Sequence, residues 1–314
     1  MKDLQKCSIC GRKNFEFLFR IRDKNLNIPG DFFLQECKNC GVLFLNPQPS
    51  TEELKKYYSS DKYYSFKEID MDSKKTRLRI FLYNLYFNER NKNFFNKILF
   101  LPIKFMVRGT NIKKDFKLLD IGCGSGQFLY DMRKSGMEKV YGIEIGDFDK
   151  INSKRFNLNI KKTTLEKERY PKDFFDIITI NHVLEHLYNP KETLNEIKRI
   201  LKERGLLILS VPNYRSLIYK IFRKNWYGLD PPRHLFNYSD KLLIDLLEIN
   251  GFKIIKKRYN SRHSQFVTSL YFALGIKNPP KVVTSLLGVL FLPLTWFVNI
   301  IKYGDQIELW CIKK

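Results

Sequence analysis

Apolar and polar positions change their period along this chain. From Phe116 onward, short apolar runs alternate with stretches whose apolar residues recur at helical spacing, the pattern of a parallel sheet covered by helices. Runs at 117 to 121, 139 to 144, 158 to 162, 174 to 180 and 206 to 211 predict strands. Phe252 to Tyr259 and Asp305 to Lys313 predict two more, the second closing the sheet. Upstream, Phe15 to Ile21, Phe32 to Gln35 and Val42 to Leu45 read as short strands, followed by a Pro-bearing turn at Asn46 to Pro49. Ser50 with Glu53 three residues on has the form of a helix capping box. Tyr57 to Tyr64 is rich in tyrosine, suited to line a cleft or to act as a packing arm. Lys74 to Arg108 is helical, basic and aromatic, with Phe81, Leu82, Leu85, Tyr86, Phe94, Phe95, Ile98 and Leu99 spaced as a packed face. The pattern thus divides the chain into a small module over 1 to 50, a helical tyrosine-rich linker or cap over 51 to 110, and an α/β domain over 111 to 314 with a hydrophobic insertion at about 264 to 303.

The first strand of the α/β domain runs into Asp120-Ile-Gly-Cys-Gly-Ser-Gly126, and a helix begins by Gln127. Gly122, Gly124 and Gly126 let backbone approach a ligand closely, at the place where an open sheet binds nucleotide-like molecules. A dinucleotide fingerprint would read G-x-G-x-x-G. Here the third Gly comes one residue early, and Asp120 stands two residues before the first. An anion is unfavourable beside a pyrophosphate and favourable beside a sulfonium and an ammonium. The second strand ends at Glu144, whose carboxylate is placed to accept hydrogen bonds from two vicinal ribose hydroxyls. Two acids and three glycines fit S-adenosylmethionine better than a phosphate-bearing cofactor.

With these residues in hand, positions 110 to 260 resemble the class I S-adenosylmethionine-dependent methyltransferases. The match runs through D-I-G-C-G-S-G, G-I-E at 142 to 144, F-D-I-I at 175 to 178, N-H-V-L-E-H at 181 to 186, L-K-E-R-G-L-L-I-L-S-V-P-N at 201 to 213 and H-L-F-N-Y-S at 234 to 239. The resemblance implies a Rossmann-like sheet of seven strands, the last antiparallel, with helices on both faces. It also implies that Thr164 and Leu165 contact adenine, although the family often has an acid where Thr164 stands, and that the stretch from Asn181 packs beside the methionine end of the cofactor.

Methyl transfer from a sulfonium needs an aligned nucleophile and a base for its proton. Of four histidines, His182, His186 and His234 fall in loops predicted at the carboxyl ends of strands. His182-Val-Leu-Glu-His186 matches the H-x-x-E-H string of one zinc-peptidase class. A position directly after a buried strand, with no further acidic ligand in view, argues against a peptidase. In some relatives the positions of Glu185 and His186 bind a divalent ion. His234 lies in the proline-stiffened Asp230-Pro-Pro-Arg-His-Leu-Phe-Asn-Tyr-Ser239, before a helix that Ser239 or Asp240 would cap. That segment is similar to H-L-x-x-[FY]-S of zinc-bearing sugar C-methyltransferases, in which a Glu-His pair acts as base; here Arg233 stands in the place of the Glu. His234 is the expected base, the alternative being a histidine that only holds the loop. There is no N-P-P-Y or D-P-P-Y tetrad after the fourth strand for exocyclic amino methylation, and no cysteine placed to attack a pyrimidine.

Cys7-Ser-Ile-Cys10-Gly11 and Cys37-Lys-Asn-Cys40-Gly41 are two copies of C-x-x-C-G. Each can turn two thiolates onto one tetrahedral ion, with the Gly permitting the turn, so Cys7, Cys10, Cys37 and Cys40 predict a closed, structural zinc ribbon. Disulfides or a redox pair are the competing readings, and no thioredoxin-like surroundings support them.

Charge and one long apolar run widen the picture. Lys and Arg number 56 against 33 Asp and Glu, a formal net charge of +23 that attracts nucleic acid, anionic membrane or phosphorylated substrates alike. The N-terminus shows no apolar run of signal-peptide length, which leads us to expect a cytoplasmic protein with reduced thiols. Between Lys281 and Lys302 lie 20 uncharged residues. Pro293 divides them and the closing strand must return to the same side, so a helical hairpin inserted in one leaflet is expected in place of a crossing helix, with Tyr214 to Trp226 as a basic amphipathic companion. Covering the acceptor pocket or forming a dimer core is the alternative use of both segments. The combined expectation is a methyltransferase at the inner membrane face, acting on a hydroxyl or ring carbon of a free or lipid-linked sugar in surface-polysaccharide assembly. An RNA methyltransferase and a non-catalytic protein that keeps the cofactor fold are the alternatives.

Overall fold

The computed structural model describes residues 1–58, 69–88, 112–146 and 150–314. The cleft or packing role of Tyr57 to Tyr64 beyond Tyr58, and the apolar positions Phe94, Phe95, Ile98 and Leu99, lie outside the described residues. The chain forms two compact units, one of Met1–Lys62, His182–Leu194 and Ser210–Leu309, the other of Tyr63–Asn181, Asn195–Leu209 and Trp310–Lys314.

The second unit carries strands β4 (Leu118–Ile121), β5 (Val140–Glu144), β6 (Asn159–Lys162) and β7 (Phe175–Asn181). β4 pairs in parallel with both β5 and β7, and β5 with β6. Leu118, Leu119, Ile178 and Ile180 have no accessible surface, as expected for strands covered on both faces. Helix α2 (Lys74–Asn88) and helix α3 (Gln127–Lys134) belong to the same unit, and a single core gathers Tyr83, Leu129, Met132, Met137, Ile177 and Ile208. Arg79 of α2 donates to the buried Asp131 of α3 at 2.6 Å. Helices α4 (Lys150–Arg155) and α5 (Leu165–Glu168) follow β5 and β6.

In sequence order come α6 (Pro190–Ile200), β8 (Leu201–Pro212), α7 (Leu217–Phe222), β9 (Phe236–Asn237), α8 (Asp240–Ile249), β10 (Phe252–Tyr259) and β11 (Gln306–Lys313). The sheet reads β10-β11-β8-β7-β4-β5-β6, with the seven strands that the resemblance implies. The Asn213 N–H donates to Asp305 O, while Lys313 Nζ donates to Leu201 O, so β11 runs antiparallel to β8. β8 begins five residues before the predicted strand because Leu201 continues directly from α6.

In the first unit, β1 (Phe15–Ile21), β2 (Phe32–Cys37) and β3 (Leu43–Leu45) form an antiparallel sheet that β9 completes, with Phe44 opposite Phe236. Helix α1 (Thr51–Tyr58) starts on a reciprocal capping box: the Glu53 N–H donates to Ser50 Oγ, and the Ser50 N–H to Glu53 Oε2. Ser239 caps α8 through the Leu242 N–H. The expected surface role of Tyr214 to Trp226 needs revision. Ile218, Tyr219 and Trp226 face inward, and what remains exposed is mainly Arg215, Lys220, Ile221, Arg223 and Lys224.

Three helices close the unit: α9 (His263–Leu274), α10 (Lys281–Leu290) and α11 (Leu292–Ile300). The expected hairpin is not formed. α10 and α11 meet at a bend of 44°, and no single helix among the described residues is long and apolar enough to cross a membrane. Pro293 lacks an N–H and interrupts the helix, but the Phe291 and Thr295 N–H groups keep their i−4 partners, so the chain bends without turning back.

Candidate active site

In the second unit the loop after β4 folds back over β5. The Gly122 and Cys123 N–H groups both donate to Ile143 O, at 2.8 and 3.1 Å. Gly122, Gly124 and Gly126 have φ of 69°, 54° and 84°, the left-handed region that favours glycine, and a Cβ on Gly126 would stand 2.6 Å from Ile160 Cδ1. Glu144, nearly buried, is pinned at both oxygens: the Gly124 N–H donates to Oε2 and the Gly146 N–H to Oε1, each at 2.8 Å. Carboxylate oxygens accept more than one hydrogen bond, so these contacts orient the acid and leave acceptor capacity for hydroxyls. Asp120, equally buried, accepts from Thr179 Oγ1 at 2.5 Å.

Both acids act on the same point between them. Burial pushes the Cys123 thiol well up, and the charges of Asp120 and Glu144 push it further. The thiol therefore stays neutral and packs against Gly142, where a Cβ would lie 2.7 Å from Cys123 Sγ. Thr164 precedes α5 in extended conformation and is half-buried, Leu165 is buried, and Asn181 ends β7 half-buried. Thr179 and the Gly146 N–H were not singled out in the sequence, and Gly142 entered there only within G-I-E at 142 to 144. Two anchored carboxylates beside a turn of glycines suit a ligand that carries positive charge and vicinal hydroxyls. These residues fit S-adenosylmethionine.

In the first unit, His182, His186 and His234 converge on Glu185, which has no accessible surface. His182 follows β7 at φ 53°, a conformation uncommon outside glycine, and its N–H donates to Ser210 O. Its Nδ1 lies 3.2 Å from Glu185 Oε1 and its Nε2 2.8 Å from the Gln306 side-chain amide. His234 Nδ1 lies 2.8 Å from Gly228 O, and Nε2 lies 3.9 Å from both Glu185 Oε1 and Asp230 Oδ2. The rings of His186 and His234 meet edge to face at 4.7 Å. Burial, then the neighbouring His234, lowers His186 to about 4, so this ring is neutral at pH 7. Burial would raise Glu185, but the His182 hydrogen bond and the surrounding imidazoles hold it below the usual range.

With Arg233 in the place of the motif's Glu, His234 has Glu185 and Asp230 near it, each carboxylate 3.9 Å from Nε2 and outside hydrogen-bonding distance. Arg233 has a separate task. Its guanidinium is buried and bridges Asp23 at 2.8 Å and Asp230 at 2.5 Å, while its carbonyl meets His186 Nδ1 at 2.8 Å. Tyr58 OH reaches the same His186 nitrogen at 3.0 Å. Neither Asp23, Gln306 nor Tyr58 carries a motif that could have marked it. Ligand atoms of Glu185, His186 and His234 lie within 4.8 Å of one another, a donor set that also suits a divalent cation.

Cys7, Cys10, Cys37 and Cys40 come together as expected, with no disulfide. The two knuckles repeat each other: the Gly11 N–H donates to Cys7 O and the Gly41 N–H to Cys37 O, at φ of 76° and 77°. Sulfur separations are 3.8 Å for Cys7–Cys40 and 3.5 Å for Cys10–Cys37. A tetrahedron with bonds of ~2.3 Å has edges of about 3.8 Å, so the donors fit zinc.

A mixed seven-stranded sheet, a glycine turn after its first parallel strand and an acid ending the second define the class I S-adenosylmethionine-dependent methyltransferases. A family model described as a methyltransferase domain matches residues 83–257, and the chain belongs to that family. An uncharacterized protein of Methanocaldococcus jannaschii is 34% identical over 203 residues, 62% of this chain and 76% of that protein. The malonyl-[acyl-carrier protein] O-methyltransferase of a Paenibacillus strain is 25% identical over 52% of this chain and 64% of its own length, just under two thirds. A solved S-adenosylmethionine-dependent methyltransferase from Archaeoglobus fulgidus covers 74% of this chain and 99% of its own, at 21% identity and a TM-score of 0.46.

Proposed function

We propose that this methyltransferase acts on a hydroxyl or carbon of a sugar or lipid-linked small molecule, with His182 as the base. The supporting observation is the His182–Glu185 pair. His182 has 36% of its side chain exposed, against 7% for His234, and it alone combines access with a carboxylate at hydrogen-bonding distance. Bound S-adenosylmethionine supplies an electrophilic methyl group. Asp120 and Glu144 would hold its charge and hydroxyls, with Gly122, Gly124 and Gly126 giving room. Thr164, Leu165 and Asn181 would border it. The His182 lone pair at Nε2, now facing Gln306, takes the acceptor's proton; the buried Glu185 carboxylate orients the ring through Nδ1–H and balances the imidazolium that forms. His186, neutral and half-buried, and His234, held by Gly228, would border Glu185. The sugar class rests on the resemblance of residues 234 to 239 to sugar C-methyltransferases. Cys7, Cys10, Cys37 and Cys40 would hold a structural zinc.

The test is a pair of variants. His182→Ala should keep the calorimetric heat of cofactor binding and lose on the order of 10²–10⁴-fold in turnover. His234→Ala should cost less. Full turnover in His182→Ala together with its loss in His234→Ala would transfer the role of base to His234. Mass spectrometry of surface glycans from cells with and without the protein tests the acceptor class, and unchanged glycans would reject it.

A further inference from the structure

Helix α10 has its amphipathic pattern inside out. The only residue it buries is Gly288, packed where a Cβ would stand 2.8 Å from the His263 ring, while Val282, Leu286, Val289 and Leu290 are exposed, each by about two thirds or more. In α11 the buried residues are Thr295 and Val298, and Trp296, Phe297 and Ile300 point outward, with Trp296 70% exposed. A helix that packs on a protein core in water does the opposite. Of the 22 large apolar residues exposed among the described residues, 13 lie from Leu274 to Tyr303, so the exposed apolar surface is concentrated in this segment and not scattered.

Along the sequence the charges of that segment have one sign. Between Glu248 and Asp305 there is no acidic residue, and of the eight Lys or Arg, Lys257 and Arg258 pair with Asp240 and Glu308 outside it. Lys277, Lys281 and Lys302 are exposed and bracket the apolar run, and Lys220 Nζ stands 4.5 Å from the Tyr303 ring at its end. A second copy of the same face would bring these cations against each other with no acid to answer them. A nucleic acid would satisfy the cations and leave the apolar side chains in water. An anionic bilayer surface answers both, because phosphates lie at the rim and acyl chains beneath. The segment also leaves and rejoins the fold at one place, since the Asn260 N–H donates to Gln306 O at 3.0 Å. Such a segment would lie on a membrane surface without crossing it.

We propose that the exposed face of α10 and α11, with its rim of lysines, docks this protein on the anionic leaflet of a lipid bilayer. The proposal is independent of the acceptor and of the base. Trp296 provides the probe, because Trp226 and Trp310 are each only 2% exposed. On mixing the full chain with vesicles of phosphatidylcholine and phosphatidylglycerol, tryptophan emission should shift to the blue and the protein should float with the vesicles. Pure phosphatidylcholine should retain much less. Leu286→Asp with Trp296→Asp should abolish flotation, while the melting temperature and the heat of cofactor binding stay unchanged. Lys277→Gln, Lys281→Gln and Lys302→Gln together should weaken retention at least tenfold, as should high salt. Unmoved emission and no flotation with phosphatidylglycerol would overturn the proposal. So would a dimer in sedimentation that the two Asp substitutions dissociate, which would make the face an interface between copies. Failure of His182→Ala to lower turnover would leave the vesicle result untouched.

Discussion

Replacing Asp305 with Asn should stabilise the protein at alkaline pH and flatten the dependence of its stability on pH. Asp305 has no accessible surface, and neither carboxylate oxygen accepts a hydrogen bond of sound geometry from a described residue. Its backbone N–H donates to Ser261 Oγ, and the hydroxyl offsets part of the burial. Burial nevertheless raises the carboxyl from 3.8 to about 7. The folded protein therefore keeps this proton up to about pH 7, whereas the unfolded chain releases it near 3.8. Between those values the native state binds more protons, so stability falls as pH rises, and the loss is complete above the upper value. A shift of roughly three units corresponds to about 4 kcal/mol in all, of which roughly 3 kcal/mol falls between pH 5 and pH 8. That is a large share of the ~5–15 kcal/mol by which a domain is stable. Urea unfolding of both proteins at pH 5 and pH 8 measures it. The gap in stability between Asp305→Asn and the natural chain should widen by roughly 3 kcal/mol from the lower pH to the higher. Parallel pH profiles for the two proteins would refute the reasoning, since they would mean that Asp305 titrates alike in both states.

Arg233→Met should destabilise by about 3–5 kcal/mol in urea, because it strands Asp23 and Asp230 as buried charges without their shared partner; a loss below about 1 kcal/mol would show that both acids find other partners. Gly126→Ala forces a side chain into φ 84° against Ile160, at a backbone cost of about 1–2 kcal/mol, and should weaken cofactor binding several-fold by calorimetry. Unchanged affinity would separate that turn from the cofactor. Metal analysis of the untagged chain should return one zinc per chain, and Cys10→Ser should lower both zinc content and melting temperature; zinc-free protein with an unaltered melt would remove the structural metal.

Features written in adjacent residues were legible before any coordinates. The C-x-x-C-G repeats, the Asp120 to Gly126 turn, Glu144 at the end of β5, and the Ser50 and Ser239 caps each depend on local spacing, which the backbone converts directly into geometry. Contacts made across the chain were not. Arg233 meets Asp23 across 210 positions, and Gln306 reaches His182 across 124. No periodicity encodes such pairs, because they follow from which loops the fold of the first unit brings together. The apolar run from 282 to 301 shows the same division. Its composition announced a surface that avoids water, while the bend at Phe291 and the inward turn of Gly288, Thr295 and Val298 decided which side chains that surface would present.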